Sequence, residues 1–139
     1  MPPSHPPVIP NFLRQAVRGG TIVIHGDGNQ TRDYVYVDDA VQAMMAASTA
    51  PSIDELIINV GSGTETSVRD LARLSSEYSN RSVEIIYNPR SDAGVSRMCA
   101  DIKLAGEKLH YSPRVKLADG LRITLERDPL FQKRQVGDS

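Results

Sequence analysis

Tryptophan is absent from this 139-residue chain, and aromatic residues make up only 5% of it. So few rings disfavour a platform on which nucleic-acid bases stack. A single cysteine, Cys99, excludes an internal disulfide and a cysteine-rich metal site. It fits a reducing compartment, and a cytoplasmic protein is expected. No charge of one sign dominates: 16 Lys and Arg stand against 17 Asp and Glu, a net charge of −1. Near neutrality leaves no electrostatic footprint for nucleic acid and no basic run for an anionic membrane surface. No apolar run approaches the ~20 residues that cross a bilayer. The opening Met1-Pro-Pro-Ser-His-Pro-Pro7 has neither the basic nor the apolar region of a signal peptide.

What is there suits one ordinary domain. Apolar residues make up 40% of the chain and charged residues 24%, close to an average soluble protein. Four prolines make residues 1–7 an extended lead-in. Ile9, Phe12, Leu13, Ala16 and Val17 recur at helical spacing, which predicts a helix over 9–18 ended by Gly19-Gly20. Residues 21–25 are β-branched up to His25 and stop at Gly26-Asp-Gly28, a strand into a turn. Residues 32–37 read as extended, and Asp38-Asp39 as the cap of a helix over 39–49.

The run Glu55–Val60 is almost continuously apolar and predicts a strand buried on both faces. Ser67 with Asp70 has a capping-box pattern ahead of a helix striped by Val68, Leu71, Ala72 and Leu74. A strand is expected over 83–87 and an irregular segment over 88–98. A short helix is expected around Ile102–Leu109, and a last helix through Leu117, Leu121 and Leu125 before a polar tail, 132–139. The fold class is therefore mixed α/β, a small sheet with flanking helices. So few strands suggest the second half of something larger.

Gly61-Ser-Gly63-Thr-Glu-Thr66 follows the expected strand and opens a helix, which is nearly a dinucleotide fingerprint. Thr66 stands where the third glycine belongs, so a tight turn into a capped helix is the competing reading. Asp38-Asp39 is either a catalytic carboxylate pair or a pair of acids at a helix start, where the dipole favours them. His5, His25 and His110 have no metal-ligand spacing, and Cys99 beside Met98 and Ala100 is expected to be buried and inert. Arg32, at a strand mouth, is either a phosphate clamp or the partner of Asp33 or Asp27 in a surface ion pair. Arg90 and Arg97 follow a strand and could converge with it on a diphosphate.

Several of these segments together carry a resemblance. They are Val8–Phe12, Gly20–Asp39, Ile58–Gly63 with Thr66–Val68, and Ala100-Asp101 with Lys103–Ala105 and Leu109. Over about residues 8–127 the chain resembles the C-terminal half of the extended short-chain dehydrogenase/reductase family. That family includes NAD-dependent epimerases and dehydratases of nucleotide sugars, among them the UDP-glucose 4-epimerases. The resemblance implies a Rossmann-type fold whose dinucleotide-binding half is missing, with residues 8–131 as the nucleotide-sugar-binding region.

It also implies roles for particular residues. Arg32 resembles the arginine that binds the diphosphate, with Tyr34 beside it in the same pattern. Phe12 and Leu13 resemble residues of the helix against the nucleotide, and Val23 and His25 the strand positions that line the base. Arg90 and Arg97 compete for the role of a second phosphate arginine. The family's cofactor fingerprint is Gly-x-x-Gly-x-x-Gly and its catalytic motif Tyr-x-x-x-Lys; this sequence contains neither. In the complete enzymes the cofactor is NAD. For this chain alone the resemblance implies no NAD and no catalysis, a UDP-sugar ligand, and a possible partner chain with the missing half. A non-catalytic remnant or a standalone binding module is the alternative.

Overall fold

The computed structural model describes residues 7–90 and 94–132. Most of the expected lead-in and tail, and Asp92, lie outside them. Five helices and four strands are present among the described residues: α1 Val8–Val17, β1 Thr21–His25, β2 Thr31–Arg32, α2 Val37–Thr49, β3 Thr66–Ser67, α3 Val68–Tyr78, β4 Glu84–Asn88, α4 Lys103–Leu109 and α5 Leu117–Arg127. β1 and β4 pair in parallel, with Thr21 opposite Glu84 and His25 opposite Asn88. β2 and β3 form a short antiparallel pair.

Strand alternation sorts β1 into two faces. Ile22 and Ile24 are completely buried, whereas Thr21, Val23 and His25 face the other way. The buried face meets the apolar stripes of α1 (Phe12, Leu13, Ala16) and α3 (Val68, Leu71, Ala72), with Leu121 of α5 and Phe131 closing the core. The parallel pair needs a crossover between its strands, and α3 leads into β4. A second, smaller core joins Ala43 of α2 to Ala105 and Leu109 of α4 and to Tyr111.

The N-terminus of α3 is the expected cap. Ser67 Oγ accepts the Asp70 backbone N–H at 3.1 Å and donates to the Asp70 carboxylate at 2.7 Å. The start of α2 is different. Tyr36 is its N-cap and no side chain caps it. Asp38 and Asp39 instead sit inside the first turn, and Asp39, only 2% exposed, turns away from its own helix.

Two extended segments fall short of expectation. Of the 32–37 region only Arg32, with Thr31 before it, is strand, because β3 offers two residues to pair with. The apolar run 55–60 is not a strand either. A strand exists only where a neighbour takes its backbone N–H and C=O groups, and among the described residues none pairs with it. Ile57 is accordingly 87% exposed instead of buried.

Candidate functional site

The loop after β1 and the segments that follow β2 and β4 meet on one side of the molecule. Residues 94–102 run across β2 and the Gly61–Gly63 turn as irregular chain. Thr31 donates its N–H to the Ser96 carbonyl at 3.0 Å, which lays this segment along β2. Arg32 is fixed from both sides: its Nη1 donates to the Thr31 carbonyl at 2.7 Å and to the Val95 carbonyl at 2.6 Å. No acceptor among the described residues takes its Nε–Nη2 edge. The expected ion pair with Asp33 or Asp27 is not formed, because each carboxylate is engaged elsewhere.

Asp33 is the knot of this region, and sequence reasoning missed it. Its Oδ1 accepts the Ser62 N–H at 2.7 Å and the Ser62 hydroxyl at 2.6 Å. Its Oδ2 accepts the N–H groups of Gly63 and Ala100 at 3.0 and 3.1 Å. Burial pushes the carboxyl upward, but the hydrogen bonds from Ser62, Ala100 and Gly63 outweigh it and hold Asp33 below the ordinary carboxylate range. Consecutive N–H groups at a glycine-rich turn suit an anion, and here the anion is the protein's own. The residues present therefore do not fit a dinucleotide at Gly61–Gly63. The only legible signal was the glycine pattern itself, which announces an anion cradle without saying whose.

Arg97 is held by a second carboxylate. Its Nε and Nη2 donate to the two oxygens of Glu65, both at 2.7 Å, and the Thr31 hydroxyl donates to Glu65 Oε1 at 2.7 Å. The Arg97 and Thr31 hydrogen bonds, the arginine first, pull the Glu65 carboxyl down to about 2. Arg32 and Arg97 thus take different partners, Arg32 the Thr31 and Val95 carbonyls and Arg97 the Glu65 carboxylate. Arg90 sits exposed beyond β4, where its N–H donates to the Asn88 side chain at 3.3 Å.

The other expected site residues separate into two groups. Phe12 and Leu13 lie in the main core, 3% and 0% exposed. Val23 and His25 share the outer face of β1, as alternation requires. An open cleft lined by Gly26, Asp27, Tyr87 and Pro89 lies at the C-terminal ends of the parallel strands, the usual place for ligands in α/β sheets. Tyr34 borders a different cleft, of about 440 Å³, with Ser62, Thr64, Thr66, Arg114 and Lys116. Its hydroxyl has no hydrogen-bond partner among the described residues, and burial raises its pKa against the pull of the Arg32 charge.

The carboxylates Asp38 and Asp39 are not a reacting pair. Asp39 accepts the N–H groups of Arg114 and Val115 at 3.0–3.1 Å, while Asp38 is exposed. Cys99 is exposed instead of buried, because it rides on the irregular segment above Asp33. Its thiol is nonetheless pushed up, by desolvation first and then by the charges of Asp33 and Glu65. Among the described residues no group of His, Cys, Asp and Glu could hold a metal ion, and no helix is long and apolar enough to cross a membrane.

This geometry can be set beside known proteins. Residues 2–61 match the NAD dependent epimerase/dehydratase family. The chain is 31% identical over 125 residues to the UDP-N-acetyl-alpha-D-glucosaminuronate decarboxylase of Bacillus cytotoxicus, covering 86% of this chain and 39% of that protein. The UDP-glucose 4-epimerase of Thermotoga maritima, solved with UDP-glucose, superposes with a TM-score of 0.82 at 36% identity, over 91% of this chain and 40% of that one. The UDP-glucuronic acid 4-epimerase of Bacillus cereus, solved with NAD, gives 0.73 at 30% identity, over 84% and 35%. The chain thus spans roughly two fifths of the length of these relatives. In sequence and in its Rossmann-type fold the chain is similar to the NAD-dependent epimerase/dehydratase family, matching the family over residues 2–61 and its members over about two fifths of their length.

Proposed function

We propose that the chain is the nucleotide-sugar-binding portion of an NAD-dependent epimerase/dehydratase, holding a UDP-sugar by its diphosphate and orienting the sugar. The observation that carries this reading is the fixed guanidinium of Arg32. Two backbone carbonyls, of Thr31 and Val95, occupy Nη1. The Nε–Nη2 edge is the one that grips an oxyanion through two parallel hydrogen bonds. Holding the side chain in place beforehand reduces the entropy lost on binding. Arg97, saturated by Glu65, is the weaker candidate for a phosphate ligand. Phe12 and Leu13 act from the core, shaping the nucleotide's wall from behind, and Val23 and His25 line the base on the outer face of β1. The cytoplasm is the compartment proposed.

The contribution is positioning, which can supply a large share of a rate enhancement without making a bond. Catalysis and NAD binding are assigned to a complementary portion that carries the motifs this sequence lacks. Three features support that division. No Tyr-x-x-x-Lys occurs in the sequence, the glycine turn is filled by Asp33, and the relatives are far longer.

Calorimetric titration of the purified chain with UDP, UDP-glucose and NAD, beside Arg32→Ala, tests the reading. UDP and UDP-glucose should bind and NAD should not. Arg32→Ala should weaken UDP by about ten- to hundredfold, the value of a charge-assisted phosphate contact. UDP affinity unchanged by Arg32→Ala would overturn the assignment. A folded chain that takes up no ligand would favour a non-catalytic remnant.

A further inference from the structure

The Glu65 carboxylate touches both β2 and the segment crossing it. It accepts the Thr31 hydroxyl from β2 and both arms of Arg97 from the crossing segment, all at 2.7 Å. Its side chain is about one-quarter exposed, whereas that of Arg97 is 77% exposed. The segment it pins supplies the Ser96 carbonyl to the Thr31 N–H and the Val95 carbonyl to Arg32 Nη1. The chain of contacts therefore runs from Glu65 through Arg97 and Val95 to Arg32. A bidentate Arg–carboxylate pair fixes both distance and plane, which a single hydrogen bond does not.

We propose that Glu65 is a positioning residue, which clamps the 94–97 segment onto β2 and so aims the Arg32 guanidinium at the ligand's diphosphate. The proposal rests on the reading of Arg32 above and adds to it how the orientation of that side chain is set. It competes with a different role for the same pair. If Arg97 were itself the phosphate ligand, Glu65 would hold it away from the ligand, and removing the Glu65 charge would tighten binding. The two roles differ in sign.

The test uses the full chain with Glu65→Gln, Arg97→Ala and the double variant, read by amide hydrogen exchange and by UDP titration. Glu65→Gln should strip protection from the Thr31 amide, whose acceptor lies on the clamped segment, and weaken UDP about three- to tenfold. Arg97→Ala should do the same, and the double variant should add nothing further, since both act through one link. A charge swap, Glu65→Arg with Arg97→Glu, should restore part of the affinity, which a general loss of stability would not. Unchanged Thr31 protection in Glu65→Gln overturns the clamp, and tighter UDP binding overturns it in favour of Arg97 as ligand. UDP binding that depends on Arg32 but not on Glu65 defeats this proposal alone. No UDP binding by the unaltered chain defeats the reading of Arg32 and this proposal with it.

Discussion

The Asp33 carboxylate occupies the space that a side chain on Gly61 would need. A Cβ built on Gly61 would lie 2.6 Å from Asp33 Oδ2 and 2.7 Å from the Ala100 Cβ. The glycine is required by this approach and not by its backbone angle, since Gly61 is absent from the positive-φ residues. The contact brings the residue after β2, the Gly61–Gly63 turn and Ala100 together, and Tyr111, just beyond α4, joins them by donating its hydroxyl to the Gly61 carbonyl at 2.6 Å.

Gly61→Ala should therefore destabilise the chain by about 1–3 kcal/mol, the usual cost of overpacking. Asp33→Ala should cost about as much, because it leaves the N–H groups of Ser62, Gly63 and Ala100 without their acceptor. Urea unfolding checks both. The paired variant Asp33→Ala with Gly61→Ala should lose less than the sum, since removing the carboxylate makes room for the methyl group. Strict additivity would show that the two residues do not share the site.

Asp39 gives a second prediction. Its buried carboxylate ties the first turn of α2 to Arg114 and Val115. Asp39→Ala should lower the unfolding free energy by about 1.5–3 kcal/mol, as expected for hydrogen bonds to a charged acceptor. The neighbouring Asp38→Ala, at an exposed position, should stay within about 0.5 kcal/mol. Equal losses would mean that the helix dipole, and not the Arg114–Val115 contact, is what Asp39 serves.

Leu13 separates core from ligand. It is completely buried among α1, β1 and α3. Leu13→Ala should cost about 2–5 kcal/mol in denaturant unfolding. Titration at a temperature where the variant is still folded should find UDP affinity nearly unchanged. A large loss of affinity with little loss of stability would make Leu13 a direct nucleotide contact.

Acid should act through Glu65. Arg97 and then Thr31 lower its carboxyl from the ordinary 4.5 to about 2. A group depressed on folding contributes stability that is complete above its unfolded value and is lost as pH falls through the folded one. The stability difference between the chain and Glu65→Gln should accordingly shrink between 4.5 and about 2 and be flat above that window. Unfolding midpoints measured across the acid range check it, and a difference that persists at the acid end would contradict the assignment. High salt should narrow the difference too, because the Arg97 side chain stands largely in solvent.

Local periodicity carried much of the fold into the sequence. The helical stripe of Phe12, Leu13 and Ala16, the alternation of Ile22 and Ile24, and the Ser67–Asp70 cap are set by residues within a few positions of one another. All of these stand in the structure. The segment 55–60 shows the limit of that signal. Its apolar run is the pattern of a buried strand, but a strand also needs a neighbour's backbone, and composition does not supply one.

The site was less legible for the same reason. The sequence by itself determined which groups were available: a conspicuous arginine at 32, two more at 90 and 97, and a glycine turn able to receive an anion. Only the tertiary structure decided their partners. Arg97 meets a carboxylate 32 residues away, and Asp39 meets backbone N–H groups 75 and 76 residues away. Such pairings depend on where folded segments cross, and helix or strand spacing holds no record of that. The crossing of residues 94–100 past β2 brought the Ala100 N–H to Asp33, Arg97 to Glu65 and the Val95 carbonyl to Arg32.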